Sequence, residues 1–157
     1  MFNRAVALLL CLSVCPILGA QTKSDEAQSE VRATLAKFVR AFDDLDWETF
    51  RLSFSNDATV FYPRAFPQRA TGRKAFEETF KRVFDQIRGD KTKPPYMDIQ
   101  PRNLAIQMFG DVAVATFDLD DRPAMLNRRT IVLYKRQAEW KIVHIHASEV
   151  ALPQPER

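Results

Sequence analysis

The chain contains very little cysteine, histidine and glycine. Of its 157 residues, two are cysteine, two are histidine and four are glycine. Both cysteines, Cys11 and Cys15, lie in an apolar segment at the amino terminus. If export removes that segment, the mature chain has no thiol, which excludes disulfides, thiol catalysis and cysteine-based metal sites. Such a protein depends on its hydrophobic core for stability.

The sequence also lacks an apolar run of the about 20 residues that a transmembrane helix needs. The apolar run at 5–15 follows Arg4, and the residues at 18–20, which end in the small pair Gly19 and Ala20, resemble a cleavage site. This pattern predicts a signal peptide over 1–20 and a secreted or periplasmic protein that has no membrane attachment after cleavage. A lipoprotein signal, with lipid on Cys15, is the alternative, although a bulky valine precedes this cysteine.

Charge of one sign is not concentrated anywhere in the chain. Lysine and arginine together number 23, aspartate and glutamate number 20, and the formal net charge is +3. Because the basic residues are interspersed with acidic ones, we expect no nucleic-acid partner. With 46% hydrophobic and 27% charged residues, the composition is typical of one soluble globular domain.

The spacing of apolar residues predicts three helices in the first half of the chain. The first spans about 26–44, after a loose polar lead-in at 21–29, and the third spans about 73–88. The second helix is short and begins after Asp46, a good N-cap residue. A strand at 59–62 separates the second helix from the third.

The second half of the sequence is strand-like. Four strands are predicted, at about 96–109, 112–119, 128–137 and 140–149. Tight turns separate the first pair and the last pair, whereas the connection at 120–127 is longer. Helices followed by a meander predict an α+β fold, a cone-shaped roll with three helices on a curved, mainly antiparallel sheet. Such a roll leaves an internal pocket, the default ligand site.

Three short strings resemble one protein family. They are NDATVFYP at 56–63, TGRKAF at 71–76 and WKIVHIHAS at 140–148. All three resemble the SnoaL-like branch of the nuclear-transport-factor-2-like superfamily, and the third is similar to the association domain of calcium/calmodulin-dependent kinase II and its bacterial relatives. The resemblance implies a cone domain over 30–150, a tail at 151–157, and dimers or larger rings. It implies no single activity, because the family includes isomerases, cyclases, dehydratases and non-catalytic oligomerisation modules.

The resemblance also indicates which pocket residues are replaced. The catalytic base of the steroid isomerases aligns with Tyr62, their oxyanion tyrosine with Phe38, and their oxyanion acid with Ile131 or Thr130. A phenol with a pKa of about 10 is a poor base at neutral pH, and phenylalanine has no hydroxyl. The kinase association domain has pocket arginines where this chain has Ala147 and Ile131. The predicted pocket is therefore largely apolar, with Tyr62 as a polar group.

The two histidines, His144 and His146, share one strand face with Trp140 if the strand alternates regularly. The resemblance turns the other face, with Ile145 and Ala147, toward the pocket, so the histidines would lie on the convex side. Three interpretations remain open. The histidines form a structural or interface pair, or they act as acid–base groups at the pocket rim, or they bind a metal. No third ligand is identifiable by spacing, so no metal site is predicted.

Other candidates come from charged and aromatic residues. Asp118 ends an apolar strand and is either a pocket carboxylate or a solvated charge. Arg129 and its neighbour Arg128 begin the next strand, and one of the two is expected to point inward or toward a partner. The aromatic residues Trp47 and Phe84 are expected in the core and pocket wall, and are candidates for the pocket mouth.

Together these observations predict an exported homodimer, or larger homo-oligomer, that binds a small, largely apolar molecule without a cofactor. Tyr62 and Asp118 would orient the ligand. One alternative is an isomerase, lyase or hydrolase that uses His144 or His146 as a base, with Tyr62 or Asp118 as its partner. The other is a non-catalytic oligomerisation module, whose convex sheet buries Trp140 and the histidines.

Overall fold

A computed structural model describes residues 17–62, 68–89, 93–122 and 124–153, with side chains from residue 23 onward except at 120–122. The helices are α1 (Ile17–Asp43), α2 (Trp47–Leu52) and α3 (Gly72–Arg88). The strands are β1 (Phe54–Phe61), β2 (Ala70–Thr71), β3 (Arg102–Phe109), β4 (Val112–Arg122), β5 (Met125–Arg136) and β6 (Glu139–Ala151). The predicted order of elements is confirmed, with the two-residue β2 added before α3.

The strands form one curved, open sheet in the order β2-β1-β6-β5-β4-β3. Neighbours pair antiparallel except β1 and β6, which are parallel. The helices cover one face of this sheet, called here the inner face, and the opposite face is called the outer face. The α+β prediction, with helices packed on a mainly antiparallel sheet, is confirmed. None of the helices that the structure describes is apolar over a length sufficient to cross a membrane.

The helices follow the predicted spacing with two differences. α1 begins at Ile17, so the stretch 21–29, expected to be a loose lead-in, is helical. The predicted signal peptide falls mostly on residues 1–16, which lie outside the described residues. α2 starts as predicted, because the Asp46 carboxylate accepts a hydrogen bond from the Thr49 amide at 3.1 Å.

The first strand begins earlier than the sequence predicts. β1 starts at Phe54 and not at residue 59, although the spacing of Phe54 from Phe50 would also suit a helix. Phe54 is opposite Ile142 of β6, and this pairing within the sheet outweighs the local helical pattern. β4 and β5 are likewise longer than predicted and pair as far as Arg122 and Met125, so most of the connection predicted at 120–127 belongs to the two strands. β3 begins only at Arg102, and the preceding segment, 93–101, contains no helix or strand.

The centre of the core is a cluster of aromatic rings around the fully buried Phe50. Rings from all three helices and β1 lie with centroids 4.7–6.1 Å from that of Phe50, and the closest is Phe80 at 4.7 Å. The members are Phe38, Phe42, Trp47, Phe54, Phe80 and Phe84. These contacts tie α2 to the other helices, so the chain holds its helical layer together without a disulfide.

An irregularity at Val143 breaks the alternation of β6. The β5–β6 register shifts between the pairs Val132–His144 and Leu133–Ile142, which leaves Val143 as an extra residue. Before it, Trp140 and Ile142 are buried toward the helices. The indole of Trp140 donates to Glu30 of α1 at 2.9 Å. The expectation that Trp140 shares a face with the histidines is therefore wrong, because the extra residue exchanges the two faces.

Candidate functional site

A cavity of about 310 Å³ lies between the helices and the inner face of the sheet. Most of its wall is apolar and comes from α1, α3, the segment 93–101 and strands β1, β4, β5 and β6. The apolar members are Phe38, Val39, Phe42, Val60, Phe61, Phe80, Val83, Ile87, Met97, Ile99, Phe117, Leu119, Ile131, Ile145 and Ala147. The cone is therefore not filled by its own side chains, which makes this cavity the candidate site.

The polar part of the wall is concentrated on the β5–β6 hairpin. Asn127 is opposite Glu149, and Arg129 is opposite Ala147, with all four side chains in the cavity wall. Asn127 is only 1% exposed, and its Oδ1 and the Oε2 of Glu149 are enclosed by protein. The next pair along the hairpin that faces the cavity, Ile131 and Ile145, is apolar. The cavity therefore has a polar end and an apolar end along the hairpin.

Tyr62 follows β1 directly and brings a hydroxyl to the cavity wall. Burial raises the pKa of Tyr62 to about 12, although a hydrogen bond with Thr79 and the charge of Arg82 oppose this shift. Its ring packs edge-on against Phe80, with centroids 5.1 Å apart. At neutral pH the phenol is protonated, so it acts as a hydrogen-bond donor and not as a base.

The structure brings together some of the predicted site residues in this one wall. Phe38, Tyr62, Arg129 and Ile131 all line the cavity. Of the two neighbouring arginines, Arg129 faces inward while Arg128 is exposed on the outer face. The contact of Arg129 with the cavity agrees with the expectation that one of the pair points inward.

Two polar wall residues, Asn127 and Glu149, were missed from the sequence. Both follow from strand alternation, which puts Asn127 on the face of Arg129 and Glu149 on the face of Ala147. They were missed because a charged or amide residue near a strand end is usually in solvent. Here the long β5–β6 hairpin carries these positions into the cavity wall.

Trp47 and Phe84, expected at the pocket mouth, do not line the cavity. Their rings lie 5.6 Å apart and perpendicular to each other within the aromatic cluster. Phe84 is 4% exposed, and the ammonium of Lys81 lies 5.3 Å from the centroid of the Trp47 ring. Both residues therefore belong to the core, because α2 packs against α3 on the far side of the cavity wall.

Asp118, expected as a pocket carboxylate, lies on the outer face. Its neighbours Phe117 and Leu119 line the cavity, so alternation along β4 turns Asp118 away from it. Its carboxylate accepts a hydrogen bond from the Asn103 side chain at 3.1 Å. Asp118 is therefore excluded as a ligand-orienting group in this cavity.

The histidines also lie on the outer face, opposite the cavity. Nδ1 of His144 is 2.7 Å from the Thr59 hydroxyl, and the His146 ring is 5.6 Å from that of Phe61. Burial lowers the pKa of His144, and electrostatic interaction with His146 and Arg69 adds to this effect. Catalysis by either histidine in the cavity is ruled out by position, since the sheet separates the two.

No cluster of three or more His, Cys, Asp or Glu side chains suitable for a metal ion occurs in the described part of the chain. The residues of the cavity wall that carry oxygen or nitrogen ligands are mixed in charge, with one arginine beside one glutamate. The polar side chains of this wall can donate and accept hydrogen bonds.

Comparison with known proteins agrees with this fold. The model of the SnoaL-like domain matches residues 31–153. Among solved structures, an NTF2-like protein of unknown function from Pseudomonas putida KT2440 is 20% identical, with 85% of this chain and 98% of that chain covered and a TM-score of 0.67. No curated protein matches the sequence.

Two further structures show how widely the fold is used. A proposed dehydratase of the NTF2-like family from Streptomyces avermitilis has a TM-score of 0.66 at 18% identity, with 81% and 98% of the two chains covered. The association domain of the kinase CaMKII from C. elegans has a TM-score of 0.62 at 21% identity, with 82% and 98% covered. At these identities the likeness concerns the fold alone.

Proposed function

The chain belongs to the SnoaL-like domain family, and we propose that it binds a small, largely apolar molecule in the inner cavity of that fold. The observation that carries the proposal is the cavity itself, about 310 Å³ of space with apolar walls and one polar end. Ligand sites of small molecules have volumes of about 300–1,000 Å³ and combine apolar walls with a few convergent polar groups.

The polar end favours a ligand with one uncharged hydrogen-bonding group. Arg129 and the Tyr62 hydroxyl supply donors, Glu149 supplies an acceptor, and the Asn127 amide supplies both. Because Arg129 and Glu149 carry opposite charges in the same wall, neither an anion nor a cation is favoured. A ketone, hydroxyl or amide at one end of an apolar skeleton fits this arrangement.

Native mass spectrometry of the protein purified from its own host tests the proposal. We expect an adduct of small-molecule mass that is released on denaturation. Its extraction into organic solvent and identification would give the ligand class. Protein without any adduct, which also fails to bind straight-chain alcohols or ketones in calorimetry, would contradict a ligand-binding function.

A second candidate function is an isomerase or dehydratase in which Glu149 is the base. The specific observation is that Glu149, whose Oε2 is enclosed by protein, lies in the same largely apolar cavity wall as the protonated phenol of Tyr62. Glu149 would remove a proton from the carbon next to a substrate carbonyl. The electron pair would pass to the carbonyl oxygen, which Tyr62 or Arg129 would stabilise by donating a hydrogen bond.

Exchange of deuterium into bound ketones distinguishes the two functions. An enzyme of this type exchanges the α-hydrogens of a ketone, and the Glu149→Gln variant loses that exchange while it still binds the ketone. A binding protein shows no exchange in either form. Asp118→Asn is the matched control, because Asp118 is a carboxylate on the outer face.

The outer face supports a further proposal, self-association of the chain. Phe61, which also reaches the cavity wall, is 36% exposed, and its ring lies 5.6 Å from that of the exposed His146. Val150 is 37% exposed further along β6. Apolar side chains together with histidines on an uncovered sheet face suit a symmetric contact between two copies. Analytical ultracentrifugation over a range of concentrations tests this, and a monomer at all concentrations would exclude it.

Export stays a proposal that rests on the amino-terminal sequence. Arg4, the apolar run at 5–15 and the small residues Gly19 and Ala20 support removal of the first 20 residues. Amino-terminal sequencing of protein from the extracytoplasmic fraction should begin at Gln21. A lipid-modified Cys15 as the first residue would indicate the lipoprotein alternative, and an intact amino terminus in the cytoplasm would exclude both.

A further inference from the structure

A second cavity, of about 610 Å³, lies between α1 and the segment 93–101. Its apolar wall includes Leu35, Pro95 and Leu104, and the charged residues Arg32, Arg40, Asp43 and Asp44 also line it. This cavity is separate from the one that carries the proposed function. The two nevertheless share part of their walls.

Three side chains belong to both walls, namely Val39 of α1, Ile99 of the segment 93–101, and Phe117 of β4. Val39 and Phe117 are fixed by the helix and strand to which they belong. Ile99 is different, because its segment contains no helix or strand. Its position between the cavities therefore depends on contacts from outside the segment.

Asp43, the last residue of α1, supplies hydrogen-bonded contacts of this kind. Both carboxylate oxygens of Asp43 accept a hydrogen bond from the Ile99 amide, at 2.9 and 3.0 Å. The backbone carbonyl of Asp43 accepts another from the Tyr96 amide at 2.8 Å. The end of α1 thus holds the segment at both ends of the stretch 96–99, and this keeps the Ile99 side chain half-buried between the cavities.

We propose that Ile99 is the specificity-determining partition that limits ligand length in the inner cavity, and that Asp43 is the residue that positions it. The inference rests on the proposed ligand-binding function and names the ligand class more closely, as an unbranched apolar chain with one polar end. Shortening Ile99 joins the two cavities through the gap between Val39 and Phe117. Longer chains then extend into the second cavity, along its apolar wall.

Straight-chain primary alcohols, from pentanol to dodecanol, are the probes that test the partition by calorimetry. Each additional methylene that is buried strengthens binding about fourfold. In the wild-type protein this gain should stop at the chain length that fills the inner cavity. In Ile99→Ala it should continue for further methylenes and give about tenfold tighter binding of the longest alcohols, with affinity for short alcohols nearly unchanged.

Ile106→Ala is the matched control. Ile106 is half-buried on β3 and packs against the core, but it lines neither cavity. This variant should bind all the alcohols like the wild type. The dependence of affinity on alcohol chain length is called here the length profile. If the length profile of Ile99→Ala matches those of the wild type and Ile106→Ala, Ile99 does not limit ligand length, although the protein still binds a ligand. If the wild-type protein binds no alcohol of any length and carries no native ligand, both proposals fall.

Asp43→Ala tests the positioning role separately. We expect a length profile intermediate between those of the wild type and Ile99→Ala, together with faster hydrogen exchange of the Ile99 amide relative to amides of β5 and β6. Asp43→Asn retains one acceptor oxygen for the Ile99 amide and should restore most of the wild-type profile. Faster exchange without any change in the length profile would show that Asp43 has only a structural role and would overturn its part of the proposal.

Discussion

The hydroxyl of Thr59 lies 2.7 Å from Nδ1 of His144, across the parallel pair formed by β1 and β6. A side-chain hydrogen bond thus joins the two strands on the outer face, in addition to their backbone ladder. The environment of this imidazole disfavours its charged form. Burial lowers the pKa of His144, and the nearby His146 and Arg69 lower it further.

This pKa shift gives the stability a pH dependence. Because the pKa of His144 is lower in the folded chain than in the unfolded one, the unfolded chain binds the proton more readily. The contribution of His144 to stability is therefore complete above about pH 6.5 and is lost as the pH falls through the folded-state value. In urea unfolding, wild-type stability should fall more steeply toward acid than that of His144→Gln. If the free energies of unfolding of the two proteins change with pH in parallel, the pKa of His144 is not lowered in the folded chain.

The proposed self-association predicts an effect of His146→Ala on the assembly. His146 is exposed on the outer face and its ring lies against Phe61, so its loss removes part of the proposed contact surface. We expect the dimer–monomer balance to shift toward monomer, with unchanged affinity for a cavity ligand. Sedimentation velocity at several concentrations measures the balance. Gln107→Ala, which changes an exposed residue on the edge strand β3, is the control and should leave the dimer fraction unchanged. Equal dimer fractions in the wild type and His146→Ala would contradict the prediction.

The aromatic cluster predicts a large stability effect at Phe50. Its ring is fully buried and lies 4.7 Å from Phe80 and 5.2 Å from Phe54. Phe50→Ala removes these contacts and leaves a void, which should lower the free energy of unfolding by about 3–5 kcal/mol. Phe109→Ala should change it by less than about 0.5 kcal/mol, because Phe109 is 61% exposed. Urea unfolding of both variants measures the two losses of stability. Similar losses for Phe50→Ala and Phe109→Ala would show that Phe50 is not at the centre of the core.

Filling the inner cavity should abolish ligand binding. Ala147 is a small residue on the β6 wall, between the polar and apolar ends of the cavity. The ring in Ala147→Phe would occupy ligand space, so we expect at least about tenfold weaker binding of the probe alcohols, with a stability cost of about 1–3 kcal/mol from overpacking. Calorimetry at a temperature where the variant is folded measures the affinity. Thr116→Phe, on the outer face of β4, is the control and should bind the probe alcohols with wild-type affinity. If Ala147→Phe also binds them with wild-type affinity, the ligand lies outside this cavity.

Much of the fold and part of the site follow from local patterns in the sequence. Helical spacing predicted α1 and α3, and Asp46 correctly marked the start of α2. Alternation along β5 links Asn127, Arg129 and Ile131 as one face. Such patterns repeat within a few residues, so they are visible without the rest of the chain.

Faces and neighbours across the sheet could not be predicted in the same way. Nothing local at Val143 indicates that it is the extra residue in β6, and this one position turns Trp140 inward and His144 outward. Likewise, the spacing of Trp47 and Phe84 suits a pocket wall as well as a core. Only the packing of α2 against α3 decides for the core.

The sequence by itself determined the α+β class, the order of the elements and the apolar character of the interior, because hydrophobic spacing and turn residues act locally. Only the tertiary structure decided that the cone stays open, that Glu149 and Asn127 join Arg129 in its wall, and that Asp43 holds Ile99 between two cavities. These features depend on contacts between residues far apart in the chain. Asp43 and Ile99, which a pair of hydrogen bonds joins across more than fifty positions, are one such case.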